Sequence, residues 1–147
     1  MSSDPVRPPA DGIVLFAHGA RDPRWALTVE ALAERAAALA PGTRVRTAYL
    51  EFLTPDLSDA VAALVAEGAT RLRIVPVFLA AGGHLLRDLP ERLEACAQRH
   101  PGVVFDLLPA LGTLPTVLDA MAVACVEAPA VGSRRPESGR PDGACAQ

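Results

Sequence analysis

Ile13-Val14-Leu15-Phe16-Ala17, followed at once by His18-Gly19-Ala20-Arg21-Asp22-Pro23, is the stretch whose reading decides the fold. Five apolar residues without alternation describe a strand buried on both faces, as in a parallel sheet. Asp22 before Pro23 is a helix start, an N-cap carboxylate followed by a proline where its missing N–H costs nothing. A helical pattern then runs from about Pro23 to Leu39 and stops before Pro41-Gly42.

The same strand-to-helix unit recurs along the chain. Thr43–Phe52 reads as the second strand, and Thr54-Pro55 opens a helix carrying Leu57, Val61, Leu64 and Val65 at helical spacing up to Gly68. Arg71–Leu79 is the third strand. Its Pro76 has no N–H for a sheet ladder and belongs near the C-terminal end. Leu89–Gln98 is the third helix, with Asp88 and Glu91 in the form of a capping box and His100-Pro101-Gly102 closing it. Val103–Pro109 is the fourth strand and Leu114–Val126 the last helix. Strict β-α alternation with short connections predicts a parallel sheet with helices on both faces. The expected fold is α/β, a flavodoxin-like doubly wound sheet of four strands in the order 2-1-3-4. The domain is expected over 12–127, after a flexible N-terminus (1–11). Residues 128–147 hold Pro, Gly, Ser, Arg and Ala without periodicity and read as a disordered tail.

The chain has 147 residues, half of them apolar, which suits one core. All 14 basic residues are arginine, against 17 carboxylates. Absence of lysine excludes a Schiff base or a Walker-type phosphate loop. A slightly acidic balance without a basic run argues against nucleic acid as partner. No stretch reaches the ~18–20 uncharged apolar residues of a membrane helix, and residues 1–12 hold no apolar signal-peptide core. Cys96, Cys125 and Cys145 fall at no metal or redox spacing, so a reducing, cytoplasmic setting is expected.

In open α/β sheets ligands bind beyond the carboxyl ends of strands, where the strand order reverses. For the order 2-1-3-4 that place lies between strands 1 and 3. His18 ends strand 1, and His84 follows strand 3. Both loops read H-x-x-R-D, His18-Gly19-Ala20-Arg21-Asp22 and His84-Leu85-Leu86-Arg87-Asp88, each before a helix. The aspartates have a plain structural role as caps. A lone histidine is usually a satisfied loop residue, but two at the switch point, each beside glycine, read as ligand or acid–base groups. His100, at a helix C-terminus, is structural. Gly82-Gly83 permits close approach of a ligand to the backbone. Arg21, Arg24 and Arg87 can pair with carboxylates or solvate helix starts, and Glu51 is a pocket acid or a solvated strand end.

Phe16-Ala17-His18-Gly19-Ala20-Arg21-Asp22-Pro23 resembles the first signature of the class II sirohydrochlorin chelatases of the CbiX/SirB type. Val75-Pro76-Val77-Phe78-Leu79-Ala80-Ala81-Gly82-Gly83-His84, continuing to Asp88-Leu89-Pro90, is similar to the second, and Tyr49-Leu50-Glu51-Phe52 with Pro55 fits the segment between. The resemblance covers about residues 12–126. It implies ATP-independent insertion of a divalent metal, Co²⁺ foremost with Fe²⁺ and Ni²⁺ as the other candidates, into sirohydrochlorin, in cobalamin or sirohaem formation. It also implies that His18 and His84 bind the metal and assist proton removal, and that a chain of this size works as a homodimer with the tetrapyrrole between subunits. Imidazole suits these ions and accepts protons near neutral pH, and arginine pairs well with the macrocycle's carboxylates. Three other readings stand beside it, one of them a solitary flavodoxin-like interaction domain. A carrier of the same fold would bind metal or tetrapyrrole without turnover. A histidine phosphatase would need the arginine of an Arg-His-Gly start, where this chain has Ala17.

Overall fold

Four parallel strands form one sheet in the computed structural model, which describes residues 10–80 and 82–133. They are β1 (Gly12–Ala17), β2 (Arg44–Tyr49), β3 (Arg71–Pro76) and β4 (Val104–Leu107), in the order β2-β1-β3-β4. Helices α1 (Ala26–Leu39), α2 (Leu57–Ala66), α3 (Leu85–Arg99) and α4 (Pro115–Glu127) alternate with them. Two short 3-10 turns, Pro23–Trp25 and Leu111–Thr113, lead into α1 and α4. The flavodoxin-like order expected from the strand pattern is the one observed.

Register decides which side chains share a face. Val14 lies opposite Arg46 and Ile74, and Phe16 opposite Ala48 and Pro76. One face, with Val14, Phe16, Ala48, Leu72 and Ile74, packs against Leu57, Val61 and Leu64 of α2 and Leu89 and Leu93 of α3. The other face is thinner: Ala17 and Tyr49 meet Ala26 and Val29 of α1, with Leu53 and Val77 at the edge. Pro76 is the last residue of β3, where a lost ladder bond costs least.

Several boundaries differ from those read along the chain; β3, for instance, ends at Pro76 and β4 at Leu107. β2 stops at Tyr49, because the next residues turn to the neighbouring loop: Leu50 N–H donates to the Ala17 carbonyl and Glu51 N–H to that of His18. α2 starts at Leu57, after Asp56 accepts the N–H of Asp59 at 2.8 Å, and not at Thr54-Pro55. α3 starts at Leu85. The N–H groups of Arg87 and Asp88 already reach the His84 carbonyl (3.1 and 2.9 Å), so Asp88 sits in the first helical turn instead of capping it. Pro90 then lies inside the helix, on its exposed side. Asp22 does cap, accepting the N–H of Arg24 at 3.0 Å.

Asp11 ties the amino ends of β1 and β3 together. Its carboxylate accepts the N–H and hydroxyl of Thr70 (both at 2.9 Å) and the N–H of Arg71 (2.9 Å). Burial alone raises its pKa, but these hydrogen bonds outweigh it and hold the carboxyl below its ordinary value of 3.8. A depressed folded-state pKa gives stability that is present above the unfolded value and lost as pH falls through the folded one. Asp11→Ala is therefore expected to lower the melting temperature at neutral pH. The gap to wild type should close as the pH is taken below about 4, which melting curves across that range would show.

No described helix is long and apolar enough to cross a membrane. Residues 128–133 are exposed and carry no helix or strand, while 1–9 and 134–147 lie outside the described residues, and with them most of the expected terminus and tail. Ala81, in the second motif, does so too.

Candidate functional site at the carboxyl edge of the sheet

β1 delivers His18 directly beyond its last residue, and the exposed imidazole stands edge-on to Phe78, with ring centroids 5.0 Å apart at 75°. Phe78 in turn stands edge-on to the fully buried Phe16 (6.2 Å, 87°). A line of rings thus runs from the core to the imidazole. Edge-to-face pairs of this kind are worth about 0.5–1.5 kcal/mol each and fix ring orientation. The loop after β3 that carries Phe78 is held from below: Gly112 N–H donates to the Phe78 carbonyl at 2.9 Å, and a Cβ at Gly112 would lie 2.0 Å from the Leu79 carbonyl oxygen.

Gly19 is as tightly placed. Its φ is +83°, and a Cβ there would sit 2.0 Å from the Glu51 carbonyl oxygen. The Glu51 backbone is therefore a wall of the His18 loop, while the Glu51 side chain is exposed. A cavity of about 170 Å³ opens beside His18, lined also by Gly19, Trp25, Tyr49, Leu53 and Val77. Tyr49 is part of this wall, and its hydroxyl is buried without a hydrogen-bond partner among the described residues. A phenol in that position costs about 1–3 kcal/mol unless a water or ligand group meets it.

His84 stands at the head of α3, exposed, in helical conformation (φ −61°, ψ −29°), with its carbonyl taken by the helix and its imidazole making no cap. It does not line the His18 cavity. Gly82 and Gly83 are exposed, with nothing within 4 Å of a Cβ built on either. Arg87 points into solvent from the first turn of α3. Arg21 lies over the Phe52 ring, 5.3 Å from its centroid, a cation–π contact on the loop after β2. Arg24 is engaged by Asp22 at 2.5 Å, which removes it from the candidates. His100 closes α3 as its C-cap residue, its N–H on the Cys96 carbonyl.

Histidine spacing alone did not point to Phe78, Tyr49 or Phe52. The signals are present in Tyr49-Leu50-Glu51-Phe52 and Val75-Pro76-Val77-Phe78, where the strand pattern places these rings in strands 2 and 3 without giving them a role. Among the described residues no group of three or more His, Cys, Asp or Glu side chains comes together to hold a metal. What the edge offers is two exposed imidazoles, two arginines and an apolar cavity walled in part by Tyr49.

The CbiX family model matches residues 12–128. The sirohydrochlorin cobaltochelatase of Methanosarcina acetivorans is 34% identical over 79 residues, 54% of this chain and 61% of that relative. The chain thus spans about three fifths of that relative's length. A CbiX protein of cobalamin (vitamin B12) biosynthesis from Marinobacter aquaeolei VT8 is similar in structure, with a TM-score of 0.70 and 34% identity over 79% of this chain and 94% of that one. SirB from Bacillus subtilis with Fe³⁺ gives a TM-score of 0.67 at 25% identity, covering 80% of this chain and 48% of SirB.

Proposed function

The chain belongs to the CbiX family, and on that premise we propose that it inserts a divalent metal ion, Co²⁺ foremost, into sirohydrochlorin without ATP. The observation that carries this reading is the pair of histidines beyond β1 and at the head of α3, with His18 exposed and oriented edge-on by Phe78. The similarity to a sirohydrochlorin cobaltochelatase supports the substrate and the metal.

Insertion exchanges two pyrrole N–H protons for one dication, so the site needs a ligand that releases metal and a base that takes protons. Imidazole does both: it binds Co²⁺, Fe²⁺ and Ni²⁺, and its ordinary pKa near 6.5 lets it accept a proton at neutral pH. An open coordination set suits a metal that must leave. Arg21 and Arg87 pair with carboxylates of the macrocycle, Arg21 held in place by Phe52. Gly82 and Gly83 leave room for the flat ligand to approach, and Glu51 flanks it through the backbone wall of the His18 loop.

One sheet edge covers one face of a planar macrocycle, so the working unit in this reading is a homodimer that encloses the substrate between two edges. The reading also places the protein in the cytoplasm, in keeping with Cys96 and Cys125 as free thiols.

The test is direct. Purified protein with sirohydrochlorin and each of Co²⁺, Fe²⁺ and Ni²⁺ should change the absorbance faster than the non-enzymatic mixture, fastest with Co²⁺. Rates equal to the protein-free control refute the chelatase reading, and tight binding without turnover would make the protein a carrier.

A further inference from the structure

Trp25 is the chain's one tryptophan, and the fold makes little use of it. It ends the turn Pro23–Trp25, in which no residue is buried, and is itself 71% exposed. The apolar cluster beside it is built by Ala17, Ala26 and Tyr49, with Val29, Leu53 and Val77 packed against them. An indole carries more apolar surface than most side chains, so one left this open beside a cavity is available to a ligand.

The cavity is the one of about 170 Å³ that Trp25 shares with His18. Its other lining residues are Ala17, Gly19, Val29, Tyr49, Leu53 and Val77, none of them an acid or an arginine. The charged neighbours of Trp25 in sequence, Asp22 and Arg24, are held to each other by hydrogen bonds of 2.5, 2.9 and 3.0 Å. An ionised carboxylate entering this cavity would give up its water and find no arginine to meet it. An uncharged apolar group would gain by its burial. The room is ample, since a water molecule, close to a methyl group in size, takes about 30 Å³ in the liquid.

The arginines that suit carboxylates do not line this cavity: Arg21 lies over Phe52, and Arg87 is in the first turn of α3. The edge is thus divided into an uncharged recess beside His18 and cations that stay outside it. Sirohydrochlorin is divided in the same way, with carboxylate arms around its rim and methyl groups on its reduced rings.

We propose that Trp25 and the cavity it shares with His18 form a subsite for a methyl-bearing stretch of the macrocycle rim, and so fix the direction in which the ring enters. The inference rests on the chelatase reading above and deepens it, because a ring held this way brings one particular edge to His18.

Binding without metal separates the subsite from the chemistry. Uroporphyrin is the comparison probe, since it carries the same complement of carboxylate arms as sirohydrochlorin and lacks the added methyls. The full chain should bind metal-free sirohydrochlorin at least about fourfold more tightly than uroporphyrin, the worth of one buried methyl. Trp25→Ala should weaken sirohydrochlorin by about tenfold and uroporphyrin by less than about twofold, and Trp25→Phe should recover most of the loss. Trp25→Ala should also raise KM for sirohydrochlorin with kcat nearly unchanged, and should melt as wild type does, because the indole is exposed. Equal affinity of wild type for the two rings, or an unchanged Kd and KM in Trp25→Ala, overturns the subsite and leaves the chelatase reading intact. Equal weakening of both rings in Trp25→Ala places the indole on the face of the macrocycle and overturns its assignment to the rim. Failure of wild type to bind or metallate sirohydrochlorin overturns both.

Discussion

His18→Ala and His84→Ala are each expected to lose chelation by about 10²–10⁴-fold, the range of a general acid–base group, while keeping the fold. Both imidazoles are exposed. His18 gives up one edge contact with Phe78, and His84 no side-chain hydrogen bond of α3. The stability cost should therefore stay well below the ~2–5 kcal/mol of deleting a large buried apolar side chain. His100→Ala, at the far end of α3, should be nearly silent in activity. Initial rates with Co²⁺ and sirohydrochlorin, measured beside melting curves, separate the cases. Near wild-type rates in either of the first two variants, or a loss that tracks unfolding, would show that the chemistry lies elsewhere.

Gly19→Ala is expected to be the most damaging one-carbon change near the site. The new methyl would meet the Glu51 carbonyl oxygen at 2.0 Å, and a backbone atom there has no rotamer by which to escape. The φ of +83° adds a cost of about 1–2 kcal/mol for any residue with a Cβ. Together these should destabilise the protein by more than about 2 kcal/mol and displace the loop that presents His18. The rate should fall even below the melting transition. Gly82→Ala is the control, since its Cβ would enter open space; it should leave the melting temperature almost unchanged. If Gly19→Ala melts and turns over as wild type does, the close approach of the two loops is not maintained in solution.

That contrast shows what was readable along the chain. Gly82-Gly83 stands out as a pair, whereas nothing in the local sequence marks Gly19 as crowded. Only the arrival of the segment after β2 makes Gly19 the position with no room. Likewise, Asp88 and Glu91 have the spacing of a capping box, but His84 already accepts the first helical bonds, so α3 begins at Leu85. Phe78 read as a strand residue; it is the ring against which His18 stands.

By itself the sequence determined the alternation of strand and helix, the parallel sheet in the order 2-1-3-4, the cap at Asp22, the position of Pro76 at a strand end, and the placing of His18 and His84 in loops after strands 1 and 3. These follow from local physics, namely the period of apolar residues, the missing N–H of proline and the orphan donors of a helix start. Tertiary structure alone decided that Gly19 and Gly112 carry the close approaches, that the Tyr49 hydroxyl is buried without a partner among the described residues, that Arg24 is spent on Asp22 while Arg21 lies over Phe52, and that α4 buries none of its residues. Apart from the Arg24–Asp22 pair, a choice of rotamer, each depends on where segments distant in the chain meet, which the short-range pattern that sets a helix or a strand does not encode.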